Sequence, residues 1–254
     1  MSTYKGYMFD LDGTVYHGNK AIESAISFIQ DLARMEIPYL FVTNNSTRRP
    51  EDVAVKLREM GVWAQANHVY TSSMATAALL ARTHSSARVF AVGEEGLLHA
   101  LQGAGMKLVE DQPDVVVMGL DRDFTYEKLS RAVRFVHQGA RFYATNQDTM
   151  LTTEAGRVAG NGALAAAVAF ATQTEPTVVG KPQAHIMDGA LEVLHLSKKE
   201  VVMVGDNYAT DILAGIRAGI DTIHVQTGIS PKEEVALMPE QPTFSIRSLG
   251  DWIL

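Results

Sequence analysis

The sequence predicts an α/β protein with a mainly parallel sheet, and three observations lead there. Short apolar runs alternate with longer stretches in which apolar residues fall at helical spacing. Runs such as Val201-Val202-Met203-Val204 show no polar alternation, as expected of strands covered on both faces. Several of these runs stop at loops of Asp, Asn, Thr or Gly, which lead into the next helical pattern. Strands and helices that alternate in this way form βαβ units with right-handed crossovers.

Taken in order, Tyr7-Met8-Phe9 is a buried strand that ends at Asp10. Ile22, Ala25, Ile26, Ile29 and Ala33 follow at helical spacing, with Pro38 beyond the end of that helix. Tyr39–Val42 is the next strand and stops at Thr43-Asn44-Asn45. Residues 50–60 form a helix with Pro50 in its first turn, Val53, Leu57 and Met60 on one face, and Gly61 just past its end. Further strands are expected at Arg88–Val92, Val115–Met118, Arg141–Thr145, Val178–Val179, Val201–Val204 and Thr222–Val225. Helices are expected near 94–103, 125–137, 160–172, 183–195 and 209–218. The polar stretches Arg82–Ala87 and Thr172–Thr177 are the best linker candidates. FVTNNST at 41–47 and FYATNQDT at 142–149 are alike because two strand exits share turn chemistry, which is preferred here over duplication.

Composition narrows the function. The 254 residues carry 22 Lys+Arg against 29 Asp+Glu, a formal net charge of −7, and 46% of them are hydrophobic. That is enough apolar material for a sizeable core, and the balance gives no electrostatic reason to expect nucleic acid or an anionic membrane as a partner. The absence of cysteine excludes disulfides, thiolate catalysis and zinc–thiolate sites, and makes the reducing cytoplasm the expected compartment. The stretch MSTYKGYMFDLDGT reaches charged residues too soon for a signal peptide. The longest apolar run, Ala163–Ala171, is far short of the roughly 20 residues a membrane helix needs.

Chemistry is expected where strands end, because parallel sheets gather ligands at the carboxyl ends of their strands. Asp10 and Asp12 lie two apart at the end of the first strand; in extended chain both would point to one side while Leu11 points away. An Asp-rich turn in which Gly13 supplies a positive φ accounts for the same residues. Asp206 and Asp211 follow the 201–204 strand and would join the first pair if the two strands are neighbours. Four carboxylates in one crevice require a cation, and an all-oxygen site with no histidine or cysteine suits Mg²⁺. Mg²⁺ held this way usually shares its shell with substrate phosphate. Thr43 and Asn44 offer a hydroxyl, an amide and backbone N–H groups for phosphate oxygens. Lys181, in Val-Gly-Lys-Pro, offers an ammonium, although a lysine taken alone is usually a solvated surface residue. The eight histidines show no HxxxH or HxH spacing, GxGxxG is absent, and Gly160-Asn161-Gly162 reads as the start of a helix.

With these residues in place, the sequence resembles the haloacid dehalogenase superfamily of aspartate-nucleophile phosphotransferases. Its four signatures occur in order: DLDGT at 10–14, VTNN at 42–45, Lys181 in VGKP, and GDNYATD at 205–211. With the TGIS ending, the chain is most similar to the NagD-type or p-nitrophenyl-phosphatase branch. The resemblance implies a Rossmann-like, doubly wound core over 1–81 and 178–254, with an inserted α/β cap of the C2 type over 82–177. It implies that Asp10 attacks phosphorus and becomes an aspartyl phosphate, and that Asp12 acts as general acid and then base. Mg²⁺ would be held by Asp10, the Asp12 carbonyl and Asp206, with Asp211 supporting the site directly or through water. Thr43 and Asn44 would bind the transferring phosphoryl group, and Lys181 would orient Asp10 and offset its charge.

The implied activity is hydrolysis of small phosphomonoesters such as sugar phosphates or nucleotides, with the cap selecting the leaving group. Asn146 and Asp148 are the cap positions to test first, with a plain turn as the competing account. Thr14 follows the phosphatase pattern at a position where NagD relatives can be apolar. A phosphomutase that returns the phosphoryl group to its substrate, and a non-catalytic protein in which Asp10 is a phosphorylated switch, are the alternatives. Either a monomer or a homodimer fits the sequence.

Overall fold

The computed structural model of the chain describes residues 4–153 and 156–254. The chain begins with β1 (Gly6–Phe9), the short pair β2 (Tyr16–His17) and β3 (Lys20–Ala21), α1 (Glu23–Arg34), β4 (Tyr39–Thr43), α2 (Pro50–Glu59), β5 (Val69–Thr71) and α3 (Ser72–Thr83). It continues through β6 (Arg88–Val92), α4 (Glu95–Gly103), β7 (Lys107–Leu108), β8 (Val115–Met118), α5 (Tyr126–His137), β9 (Arg141–Ala144), the antiparallel pair β10 (Met150–Thr153) and β11 (Gly156–Ala159), α6 (Asn161–Thr172) and β12 (Thr177–Val178). It ends with α7 (Ala184–Leu194), β13 (Val201–Gly205), a π-helical turn at Tyr208–Ile212, α8 (Leu213–Ala218), β14 (Asp221–Val225), α9 (Lys232–Val235) and β15 (Phe244–Ile246). The expected α/β class holds, and the strands and helices foreseen are present within one or two residues of their bounds, except that the helix expected at 209–218 opens as the π-turn.

Contacts divide the chain into two compact units. The first comprises the described part of Met1–Thr43 together with Pro50–Tyr70 and Lys181–Leu254; the second comprises Asn44–Arg49 and the described part of Thr71–Gly180. Buried hydroxyls hold the 44–49 segment: Ser72 Oγ donates to the Asn44 carbonyl at 2.7 Å, and Ser73 Oγ to the Ser46 carbonyl at 2.9 Å. The Leu120 N–H in turn donates to Ser46 Oγ at 3.1 Å. Residues 44–49 are thereby tied to the second unit.

In the first unit six strands lie in the order β15-β14-β13-β1-β4-β5. The chain builds outward from β1 through β4 to β5 on one side and from β13 through β14 to β15 on the other. The strand order therefore reverses between β1 and β13, the switch point at which such sheets bind ligands. These two strands pair in parallel with Gly6 opposite Val201 and Phe9 opposite Val204. Beneath them, Ala25, Phe28, Ile29 and Leu32 of α1 and Val53, Ala54 and Leu57 of α2 join Tyr7, Phe9, Phe41, Val202 and Val204 in one apolar core. The spacing of the α1 residues, three and four apart, puts them on a single face.

The second unit has a parallel sheet in the order β12-β9-β8-β6-β7. Phe90, Val116 and Phe142 from its strands pack with Phe135 of α5 and Val168 of α6. Helix α3, not anticipated from sequence, starts with Thr71 Oγ1 accepting the Met74 N–H at 3.2 Å. Its Ser, Thr and Ala residues form no distinct apolar stripe, so periodicity does not reveal it.

No helix of the described residues is long and apolar enough to cross a membrane. Because Leu32 is fully buried in the first core, Leu32→Ala is expected to destabilise that unit by about 2–5 kcal/mol. A urea midpoint equal to that of the wild type would contradict this packing.

Candidate active site

The acidic residues meet because of strand register. Since Phe9 lies opposite Val204, Asp10 comes beside Gly205, the last residue of β13, and Asp206 follows directly. The Asp10 N–H still donates to the Val204 carbonyl at 2.9 Å, which holds this residue in line with β13. Phe9 also lies opposite Phe41, so Thr43 ends β4 at the same edge, and its side chain is buried. The π-turn then returns Asp211 towards the strand end: its N–H donates to the Asn207 carbonyl at 2.8 Å, and its Oδ2 accepts the Asn207 N–H at 3.1 Å. Such wide turns recur at functional sites.

Asp10, Asp206 and Asp211 each present a carboxylate oxygen, and these oxygens lie within 4.8 Å of one another. Lys181 is 1% exposed, in contrast to the solvated lysine that is the usual case. Its Nζ donates to Asp10 Oδ1 at 2.5 Å and lies 2.8 Å from Asp211 Oδ1. Asp206 Oδ1 accepts from Thr14 Oγ1 at 3.1 Å, and its Oδ2 accepts from the Ile229 N–H at 2.7 Å. Burial pushes the Asp10 carboxyl up to about 8, with the Asp211 charge acting in the same direction against the Lys181 ammonium. Burial also raises Asp206 to about 6, again reinforced by Asp211. For Lys181 burial opposes the charge, but Asp10 and Asp211 outweigh it and hold the ammonium above its ordinary range.

Asp12 is not where extended chain would put it. The backbone turns after Leu11, whose carbonyl accepts the N–H groups of Thr14, Val15 and Tyr16. Gly13 completes the turn at φ +92°, as its residue type foretells. Asp12 is consequently exposed, and its Oδ1 accepts the Gly18 N–H at 3.4 Å instead of joining the other three acids. No histidine belongs to this group.

In the second unit, Asn44, Asn146 and Asp148 form one network. Asn44 Nδ2 donates to Asp148 Oδ1 at 3.0 Å, and Asn146 Nδ2 donates to the Asn44 carbonyl at 2.8 Å. The Asp148 N–H donates to Asn146 Oδ1 at 3.1 Å. Asn161, at the start of α6, binds the Asn146 and Met118 carbonyls at 2.9 and 3.1 Å. The N–H groups of Gly160 and Gly162 go to the carbonyls of Thr149 and Asp148, so they brace the 146–149 loop. Asn146 is thus a buried connector.

Sequence reasoning passed over the partners of Asp206. Thr14 entered as a pattern position and Thr227-Gly228-Ile229-Ser230 as an ending. The available signal was that this stretch follows the strand beside Val201–Val204 and so leaves the sheet at the same edge.

A pH dependence follows. Asp10 has an ordinary value of 3.8 and is raised to about 8, so between these values the folded protein retains a proton that the unfolded chain has lost. Stability without divalent cations must therefore fall as pH rises through that window. Partly buried His68 and fully buried His224, both lowered by desolvation, act in the opposite sense only at more acid pH. Melting temperatures in chelator are expected to drop between about pH 6.5 and 8, and a divalent cation should raise them most at pH 8. A chelated protein whose melting temperature rises over this interval would refute the electrostatic account of the cluster.

Sequence and structure comparisons agree with this architecture. Residues 7–107 match the haloacid dehalogenase-like hydrolase family, and residues 178–252 match the HAD-hydrolase-like family. An acid sugar phosphatase of Staphylococcus saprophyticus is 48% identical over 100% of this chain and 98% of its own. The 5′-nucleotidase YutF of Bacillus subtilis is 45% identical over 100% and 99%. A thermostable NPPase of Geobacillus stearothermophilus superposes with a TM-score of 0.95 at 49% identity, covering 100% of this chain and 99% of the other. NagD of E. coli K-12 superposes with a TM-score of 0.94 at 34% identity, covering 99% of each chain. Near-complete coverage at this identity establishes that the protein belongs to the haloacid dehalogenase-like hydrolases, among relatives named as phosphatases and a 5′-nucleotidase.

Proposed function

We propose that the protein is a cytoplasmic, Mg²⁺-dependent phosphomonoesterase acting on small phosphorylated metabolites through an aspartyl phosphate on Asp10. The observation that carries this reading is the close group of Asp10, Asp206 and Asp211 around buried Lys181 at the switch point of the sheet. The donors are all carboxylate oxygens close enough to share one small ion, a set that fits Mg²⁺ and offers no soft ligand. Asp10, Asp206 and the Asp12 carbonyl would hold it, with Asp211 behind them on Lys181 and Asn207. Bound there, it supplies positive charge to the phosphoryl oxygens.

The side chains then divide the work. A carboxylate oxygen of Asp10 bonds to phosphorus as the bond from phosphorus to the leaving oxygen breaks, and Asp12 gives that oxygen its proton. Asp12, now charged, takes a proton from a water whose oxygen attacks the phosphorus. The Asp10–phosphorus bond breaks and inorganic phosphate departs. Lys181 keeps Asp10 oriented and neutralises part of the accumulated charge, which is most of what phosphoryl transfer demands. Thr43 and Asn44 hold the transferring group with a hydroxyl and backbone N–H groups.

The second unit is read as the cap that selects the leaving group, with Asn146 and Asp148 shaping it through Asn44. Relatives named for sugar phosphates and for nucleotides are almost equally similar, so both classes belong in the substrate panel.

The test is phosphate release from p-nitrophenyl phosphate, sugar phosphates and nucleoside monophosphates, with Mg²⁺ and with chelator. Turnover is expected only with the metal, and Asp10→Asn should lower it by roughly 10³-fold or more. Isomerised sugar phosphate in place of free phosphate would favour a mutase. Stoichiometric uptake of phosphate without turnover would favour a switch. Asn146→Ala is expected to reorder the panel, and an unchanged ranking would remove the 146–148 loop from substrate choice.

A further inference from the structure

Asp206 is held by groups distant from it in sequence. The holding is done by the loop after β14. Ile229 donates its N–H to Asp206 Oδ2 at 2.7 Å, and the Ser230 N–H donates to the Asp206 carbonyl at 3.3 Å. Thr227 Oγ1 reaches the Gly13 carbonyl at 2.7 Å, which fastens the same loop to the turn carrying Asp12 and Thr14. Gly228 is pressed against the carboxylate so closely that a Cβ there would stand 1.9 Å from Asp206 Oδ2. With Thr14 on Oδ1, each Asp206 oxygen receives a hydrogen bond from the protein and retains lone-pair capacity for a cation.

The loop has its own anchor. His224 of β14 is fully buried, with Nε2 3.0 Å from the Ser230 carbonyl and Nδ1 3.1 Å from Ser245 Oγ on β15. A carbonyl oxygen only accepts, so Nε2 carries the hydrogen and the Ser245 hydroxyl donates to Nδ1. Ser230 therefore receives His224 on its carbonyl, gives its N–H to Asp206, and accepts the Tyr208 N–H on its hydroxyl at 2.9 Å. One residue links the histidine to both the acid and the start of the π-turn that delivers Asp211.

We propose that His224 is a positioning residue for the acidic centre: by fixing the Ser230 carbonyl it sets the Thr227–Ser230 loop and, through the Ile229 N–H, the orientation in which Asp206 meets a divalent cation. The inference rests on reading Asp10 and Asp206 as cation ligands. Groups that orient a ligand from behind characteristically change metal affinity by 10–100-fold when lost.

Mn²⁺ titration followed by electron paramagnetic resonance, with displacement by Mg²⁺, measures the affinity without reference to turnover. His224→Leu is expected to weaken Mn²⁺ binding by about tenfold or more. His224→Gln, whose amide can still donate to the Ser230 carbonyl, should stay within about threefold of wild type. Melting temperatures in chelator separate a merely structural histidine, which would lower both variants' stability and leave the affinity of the folded protein unchanged. That pattern, or a Gln variant as weak as the Leu variant, overturns the proposal. If His224→Leu does not fold, Ser245→Ala decides: it keeps the ring and removes its outer partner. Weakening of about threefold supports the proposal, and an unchanged affinity overturns it. Absence of Mn²⁺ binding by the wild type would instead refute the proposed cation site itself.

Discussion

Three carboxylates, those of buried Asp206 and Asp211 and of partly exposed Asp10, share a space in which their oxygens lie within 4.8 Å of one another, and the first unit is organised around tolerating that repulsion. At such separations a like-charge pair costs about 3–4 kcal/mol at an effective dielectric of 20. Every nearby donor answers this strain. Lys181 is buried on Asp10 and Asp211, Thr14 and Ile229 serve Asp206, and Thr210 and the Asn207 N–H serve Asp211. One ammonium cannot neutralise three carboxylates, so burial and mutual repulsion still leave Asp10 and Asp206 raised. A site in that condition is prepared to favour added positive charge.

The sheet topology explains why the acids arrive together. Asp10 and Asp206 are far apart in sequence, yet β1 and β13 are neighbours in matched register, and their ends fall at the reversal of strand order. Side chains leaving the sheet here are not covered by a crossover helix, since the connections from the two strands diverge. Gly13 and Gly228 then let two loops close on Asp206 at distances no side chain would permit. The second unit uses a different device, in which the amides of Asn44, Asn146 and Asn161 are joined by hydrogen bonds into one connected polar network. In each unit backbone carbonyls and N–H groups at strand ends are consumed by side chains from other elements, which gives the loops defined positions.

Much of this was legible in the sequence, for physical reasons. Strands such as Val115–Met118 and Val201–Gly205 declare themselves because covered parallel strands are continuous apolar runs. Asp10, Asp206, Asp211 and Lys181 were found by asking which polar residues end those strands. What escaped was held together by partners distant in sequence. Helix α3 carries small residues without a stripe, and β15 is a three-residue edge strand recognisable only beside β14. The role of the 44–49 segment depends on Ser72 and Ser73, whose hydroxyls are unremarkable until the fold brings them near. The Thr227–Ser230 loop was invisible as a ligand to Asp206 because its contribution is mainly backbone, and backbone donors have no residue signature.

The contrast between Asp10 and Asp12 shows why spacing alone could not assign their parts. Both belong to one five-residue motif, and an extended chain would have placed them in the same pocket. The turn at Leu11 separates them, sending Asp10 to Lys181 inside and Asp12 to the surface beside Gly18. A carboxylate that must attack phosphorus benefits from a fixed position and a cationic neighbour, which Asp10 has. A group that must give a proton and then take one from water needs access to both exchange partners, and burial among three other charges would deny it that. Four carboxylates in a single pocket would have served the cation and left no acid. By expelling Asp12 from the cluster, the turn leaves three acids beside Lys181 and sets the fourth at the surface, a placement that supports the division of labour proposed for the pair.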